Sequence, residues 1–496
     1  MTTQNSSWGD LFSGKNAARS LALSGGVALH AINIYIATTI LPTVVKEIGG
    51  LDLYAWNTTL FVVASILGSA LTARLLQGAG PRAAYAVAGA LFLAGSLICA
   101  LAPAMPVLLL GRAVQGLGGG LLFALCYAMI QLLFEERLWP RAMALVSGMW
   151  GVATLVGPAI GGVFAEMGVW RAAFASLLPV TLAYLALTTA VLPRRDASQP
   201  AAGKLPLRQL LLLAGAVLAV GAGSASALPL WNVAGVAAAL LLVCLLLRHE
   251  ARAPTRLLPR NALDPGAPLW ALYATMGLLV VGMTSEIFVP YFLQTLHGQS
   301  PLVSGYLAAL MAAGWTLSEV ISSAWKDAAA RRAIVAGPLC VLAGLILLAV
   351  FAPRQGGGDQ VLLALICVAL TLVGFGIGLG WPHLLTRVLQ GAAAQDQNAA
   401  AASLTTVQLF ATALGAALAG MIANLAGLND PGGAEGAVRA ARWMFALFSV
   451  APALALLTAL RATAARRAGG LADGVAGGLA GGVAGALTSG ARRKSS

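Results

Sequence analysis

Residues 106–132 read PVLLLGRAVQGLGGGLLFALCYAMIQL. At about 1.5 Å of rise per residue, a helix of this length crosses the ~30 Å hydrocarbon core of a bilayer. The stretch carries one charge, Arg112, directly after the apolar run Val107 to Leu110. A guanidinium in hydrocarbon is costly unless an anion or a carbonyl meets it. Gly111, Gly116, Gly118, Gly119 and Gly120 have no side chain, so another helix can approach closely here. The segment therefore predicts a tightly packed membrane helix built around a buried arginine.

Similar apolar runs extend outward in both directions. Of the 496 residues, 59% are hydrophobic and 9% charged, whereas roughly a quarter of a soluble domain is charged. The runs fall at 20–45, 56–77, 83–103, 106–132, 138–165 and 170–193, then at 207–228 and 230–247. A second set follows at 269–295, 302–325, 332–352, 360–386, 398–426 and 437–463. This pattern predicts an all-α membrane protein with fourteen transmembrane helices, arranged as two six-helix bundles and a two-helix insert. The organisation is a cytoplasmic segment 1–19, an N-terminal bundle 20–193, a linker with two extra spans 194–268, a C-terminal bundle 269–463 and a tail 464–496.

Loop charge orients the chain. Lys15 and Arg19 precede the first span, and alternate loops hold Arg82, then Arg137 and Arg141, then Arg194 and Arg208. Later members are Arg248, Arg252, Arg256 and Arg260, Lys326, Arg331 and Arg332, Arg387 and Arg461. The opposite loops hold mainly Lys46, Arg171, Arg354, Arg439 and Arg442. By the positive-inside rule both termini are expected in the cytoplasm. The same distribution explains the net charge of +13 without nucleic acid. The first run is too long for a signal-peptide core and is expected to stay as an uncleaved anchor.

Cys99, Cys126, Cys244, Cys340 and Cys367 all lie in apolar runs without metal-ligand spacing, so they read as small buried residues. Residues 248–264 mix Arg with Leu, Ala and Pro and read as a connector on the headgroups. The Gly-rich repeats of 469–492 argue against a stable helix there.

In the fifth run, Gly157-Pro158-Ala159-Ile160-Gly161-Gly162 places a helix-bending proline beside glycines that permit close packing. Together with Gly111 to Gly120, this run resembles signatures of the major facilitator superfamily, and in particular its fourteen-helix drug:proton antiporters of the QacA/EmrB type. The resemblance covers about residues 20–460. It places Arg112 at a basic position associated with proton coupling, and Gly157, Pro158, Gly161 and Gly162 in a conformational motif associated with export. Trp170-Arg171, Phe292-Leu293-Gln294 and the glycines Gly374, Gly376 and Gly378 are similar to further family features.

Two departures stand out. The family's loop between spans two and three carries an Asp, where this chain has Gln77 ahead of Gly80 and Arg82. The family's first-span Asp, nine residues before the proline, is Asn33 here. Neither replacement titrates, so proton coupling has to reside elsewhere.

Among acids within the runs, Glu286 and Glu319 stand out. Counting rise from the span ends places them at different depths, with Arg112 nearer the depth of Glu286. A carboxylate in a low-dielectric cavity can be neutral in one conformer and charged in another. Glu286, Arg112 and Glu319 are therefore the proton-coupling candidates, and an ionised carboxylate would also attract a cationic substrate. Asn33, Tyr35, Gln115, Trp315, Trp381 and Gln408 are candidates for a substrate cavity; His30 and His383 are further titratable side chains in the spans.

The expected function is secondary active export of a hydrophobic or amphiphilic small molecule, including cations, across a bacterial inner membrane in exchange for protons. The alternatives are an uncoupled facilitator, a lipid mover, an exporter of one metabolite, or an importer. No nucleotide-binding loop or metal cluster is evident in the sequence, so no cofactor, metal or enzymatic reaction is expected. The expected partners are the bilayer, protons and the substrate, with a monomer as the working unit.

Overall fold

The computed structural model describes residues 8–194, 206–226, 228–253, 256–393 and 396–464. The expectations for the first residues, for 195–205 and for the Gly-rich tail lie outside them. Thirteen helical segments among the described residues are long and apolar enough to cross a membrane. One of them, Leu51–Ala100, is long enough for two crossings. It breaks at Gly80, whose φ of 82° and ψ of 169° only glycine adopts easily, and Pro81 follows at once. The division brings the crossings to fourteen.

In chain order these are α1 (Gly14–Ile48), α2 (56–79), α3 (81–100), α4 (Met105–Leu133), α5 (Trp139–Glu166), α6 (Trp170–Val191), α7 (Leu207–Ser224) and α8 (Pro229–Arg252). Then come α9 (Pro268–His297), α10 (Pro301–Ser322), α11 (Asp327–Phe351), α12 (Gln360–Gly391), α13 (Gln397–Leu425) and α14 (Gly433–Ala464). Short connections make neighbours antiparallel, so the starts of odd helices share one face with Lys15, Arg82 and Arg208. That end is the basic face, and the opposite end is the far face. Arg19 at the start of α1 donates to Leu133 O at the end of α4 on the basic face, 3.0 Å away. On the far face Arg171 bonds Glu47 and also reaches Ala102 O at 2.9 Å.

Glycines set the packing within each bundle. A β-carbon on Gly116 or Gly120 would overlap the backbone of α2 at Phe61 or Ser65. One on Gly118 would strike α3 at Phe92, and one on Gly119 would meet His30 of α1. The quoted stretch thus serves three neighbours at once, where the sequence suggested only a close approach. In the second bundle Gly374 and Gly378 face Met311 and Trp315 of α10, while Gly376 between them faces Gly337 of α11. Spacings of four keep a helix face and spacings of two cross it, which is why one glycine run serves two partners.

The insert α7–α8 is a hairpin, joined where Gly223 meets Gly235. Val217 and Val220 of α7 join Phe61 and Val62 of α2 and Ala413, Ala417 and Met421 of α13 in one apolar cluster. The hairpin therefore sits beside the α2–α13 seam between the bundles. Its outer helix is largely bare, with Leu230, Trp231, Leu240 and Leu241 exposed, as lipid contact requires. Cys244 on this helix is exposed, and Cys340 and Cys367 are partly exposed, a correction to the expectation that every cysteine is buried.

The connector after α8 is tied inward at its start. Glu250 is buried, and its carboxylate accepts the backbone N–H groups of Leu257 and Leu258, the latter at 2.8 Å. Leu257 in turn packs against Ile66, Leu210 and Leu213. A sequence rich in arginine hid this inward anchor.

Candidate functional site

Among the described residues, the hydrogen bonds that join the two six-helix bundles sit at the far face. Glu166 at the end of α5 accepts from Leu302 N at the start of α10 (3.3 Å), and Tyr306 donates to Leu155 O (3.1 Å). Asn424 of α13 donates to Asp52 O, ahead of α2, and to Ser224 O of the insert, both at 2.9 Å. The signature of α5 lies in this seam. Gly157 and Gly161 rest on Ile32, Tyr35 and Ile36 of α1, and Gly162 on Leu302; Gly305 of α10 meets Thr39 and Pro158. Nearer the basic face, Gly148 and Gly151 of the same helix face open space. The seam is closed by these contacts toward the far face, and α5 has no close neighbour at Gly148 and Gly151.

Glu286 lies where α9 is interrupted. Residues Thr284–Phe288 form a 3-10 turn, and Val289 N–H bonds Glu286 O. Pro290 has no N–H to return to that carbonyl, four residues back, so the regular helix cannot pass through. One carboxylate oxygen of Glu286 is buried without a protein partner. Tyr35 of α1 is within electrostatic reach of this acid and lies near the Thr154 hydroxyl of α5. Thr154 in turn donates to Trp150 O at 2.9 Å. Residues from α1, α5 and α9 thus converge across the seam, one turn from the Gly157-Pro158 contact.

Arg112 is fully inside the first bundle, 2% exposed. Its Nε donates to Asn57 O (3.3 Å) and its Nη1 to Gln115 Oε1 (2.6 Å), while its guanidinium lies 4.1 Å from the centre of the Phe61 ring. Gln115 Nε2 donates to Ser96 Oγ at 2.8 Å. Among the described residues no carboxylate pairs with Arg112. Carbonyl, amide and aromatic face replace a counter-ion, the second of the two solutions its burial demands. Gln115 is accordingly a buried bracket for Arg112.

Asn33 is also fully buried, and neither of its side-chain amide atoms has a protein partner. His30, one turn earlier, stacks between Phe61 and Phe123 with ring centroids 5.3 Å from each, and meets Trp150 edge-on. In the second bundle Trp315 donates to Glu319 Oε2 (2.9 Å), and its ring meets Trp381 edge-on at 4.9 Å. Glu319 is two heptads beyond Gly305 and so shares the face of α10 that meets the first bundle. The structure therefore groups Glu319 with Trp315 and Trp381, and Glu286 with Tyr35. Gln408 is half-buried on α13, and His383 is buried on α12. Gln77 has a buried, unpartnered carbonyl oxygen near the α2–α3 break, and Arg82 N–H bonds Pro193 O at 3.2 Å.

Sequence reasoning missed Thr154, Trp150, Phe123 and Tyr127. Phe123 and Tyr127 are one turn apart on α4, and Trp150 and Thr154 one turn apart on α5, so a polar or aromatic pair at helical spacing was the available signal.

Two six-helix bundles that meet along a seam, with an unpaired carboxylate at a helix break between them, define a polytopic membrane transporter. The Major Facilitator Superfamily model matches residues 23–419, and the chain belongs to that family. It is 37% identical to a "Probable multidrug-efflux transporter" of Mycobacterium tuberculosis (strain ATCC 25618 / H37Rv), over 93% of this chain and 97% of the relative. It is 25% identical to a multidrug transporter protein of Bacillus subtilis (strain 168), over 77% of this chain and 71% of that one. Among solved structures, a bacterial homologue of the human lysosomal transporter Spinster, inward-facing and unoccupied, superposes with a TM-score of 0.62 at 16% identity, covering 90% of this chain and 97% of that one. A peptide transporter in complex with alafosfalin gives 0.63 at 16% identity, covering 90% and 95%. These structures share the fold. The chain is a membrane transporter of small molecules, not an enzyme.

Proposed function

We propose that the chain exports hydrophobic or amphiphilic small molecules, cations among them, across a bacterial inner membrane in exchange for protons. Both termini are then cytoplasmic, the basic face is the cytoplasmic one, and a monomer contains the whole pathway. The observation that carries this reading is Glu286, a carboxylate with a buried, unpartnered oxygen at a break in α9, within electrostatic reach of Tyr35 of α1. An acid so placed exchanges a proton only when the seam opens to one side or the other, which couples proton movement to the rocking of the bundles. The multidrug-efflux names of the relatives support the substrate class. Arg112 contributes a fixed charge to the first bundle. Glu319 with Trp315 and Trp381 forms a second acidic group on the facing wall.

The test is dye efflux from proteoliposomes under an imposed pH gradient. Wild type is expected to respond to the gradient, and Glu286→Gln to lose at least about nine-tenths of that response, since removal of a proton-transfer group costs roughly a hundredfold or more. Efflux indifferent to both gradient and substitution would leave the uncoupled facilitator as the better reading. Asn33 and Gln77, which stand where the family has acids, are the specific observations on its side.

A further inference from the structure

On the basic face an open, shallow pocket of about 260 Å³ lies between the start of α3 and the end of α6, lined by Ala79, Arg82, Ala83, Ala86, Thr189 and Arg194. It belongs to neither the seam nor the Glu286 group. Two ties hold its shape. At the rim Arg82 N–H bonds Pro193 O, and one to two turns into the membrane Leu185 packs on Gly89. Arg82 is half-buried and Arg194 exposed, and neither forms a salt bridge among the described residues. The acid that the family places in the preceding loop is Gln77 here, so no carboxylate from that position competes for Arg82. Below the pocket, Val87, Ala90, Ala94, Leu97 and Leu101 are exposed at spacings of three and four. They form one continuous apolar stripe down the outside of α3.

We propose that this pocket binds the phosphate of an anionic phospholipid, with an acyl chain lying along the α3 stripe. Two planar guanidinium forks suit phosphate oxygens, and the site stands where the headgroup layer meets the helices. The small side chains of Ala83 and Ala86 leave room for the glycerol, and the Thr189 hydroxyl stands at the wall. A free phosphate ester shares the recognition chemistry but has no use for the stripe, so a lipid is the favoured occupant.

The experiment is native mass spectrometry of the purified full chain, titrated with phosphatidylglycerol or with phosphatidylcholine of the same acyl chains. Wild type is expected to prefer phosphatidylglycerol by about tenfold or more, from two cationic contacts. The Arg82→Gln/Arg194→Gln pair is expected to lose that preference. The Arg82→Lys/Arg194→Lys pair, which keeps the charge, should retain most of it and serves as the folding control. Equal preference in wild type and the Gln pair would overturn the proposal. Full displacement of the lipid by millimolar glycerol 3-phosphate would overturn the lipid as occupant in favour of a soluble phosphate ester.

Discussion

Asn33 is the residue at which packing and function separate most cleanly. Its amide is buried, yet no protein group receives it. A buried amide without partners contributes nothing favourable to folding, and its replacement by a similar-sized apolar group is close to neutral or stabilising. Asn33→Leu is therefore expected to change the unfolding free energy by no more than about 1 kcal/mol, while lowering transport several-fold if the amide meets substrate. A thermal melt in detergent, read beside efflux, checks both halves. A large drop in melting temperature would show that Asn33 is structural. Arg112 behaves in the opposite sense, since every polar contact it makes is internal to the bundle. Its burial was foreseeable from its place in an apolar run. The identity of its partners was not, because Asn57 and Phe61 lie on a different helix.

At the scale of elements, glycine position decides what a helix tolerates. A β-carbon at Gly374 would overlap the Met311 carbonyl of α10, which belongs to a backbone that cannot rotate away. Gly374→Ala is expected to destabilise the protein by about 1–3 kcal/mol, the usual range for overpacking. Gly151→Ala, facing open space on α5, should be neutral or stabilising by roughly 0.5–1 kcal/mol through loss of chain entropy in the unfolded state. Melting temperatures of the two variants test this, and equal effects would mean that the α10–α12 crossing is looser than described. The helices themselves were legible as apolar runs of spanning length, the two of the insert among them. The packing of that hairpin against α2 and α13 was not legible, because all its faces are apolar and hydropathy cannot choose among them.

For the whole molecule, the prediction concerns the far-face seam. Alternating access requires Gly162 and Leu302 to separate during each cycle. A β-carbon at position 162 would lie 2.5 Å from the Leu302 Cα and 2.9 Å from its β-carbon, so the two helices have to part slightly before the pair takes the ~3.8 Å separation of a disulfide. In a background with the native cysteines replaced, Gly162→Cys with Leu302→Cys should abolish transport on oxidation and recover it on reduction. Undiminished transport by the oxidised, fully cross-linked protein would exclude opening at this seam.

The sequence by itself determined the membrane class, the division into two sets of six spans and a two-span insert, and the short set of charges worth attention. Each of these depends on run length or the cost of a charge in hydrocarbon, both of which are properties of neighbouring residues. Only the tertiary structure decided that Gln115 braces Arg112, that Gly116, Gly118 and Gly119 serve three different helices, and that Tyr35, Thr154 and Glu286 converge. Those groups are brought together by packing between helices distant in the chain, and a uniformly apolar helix surface carries no local sign of which neighbour it will meet.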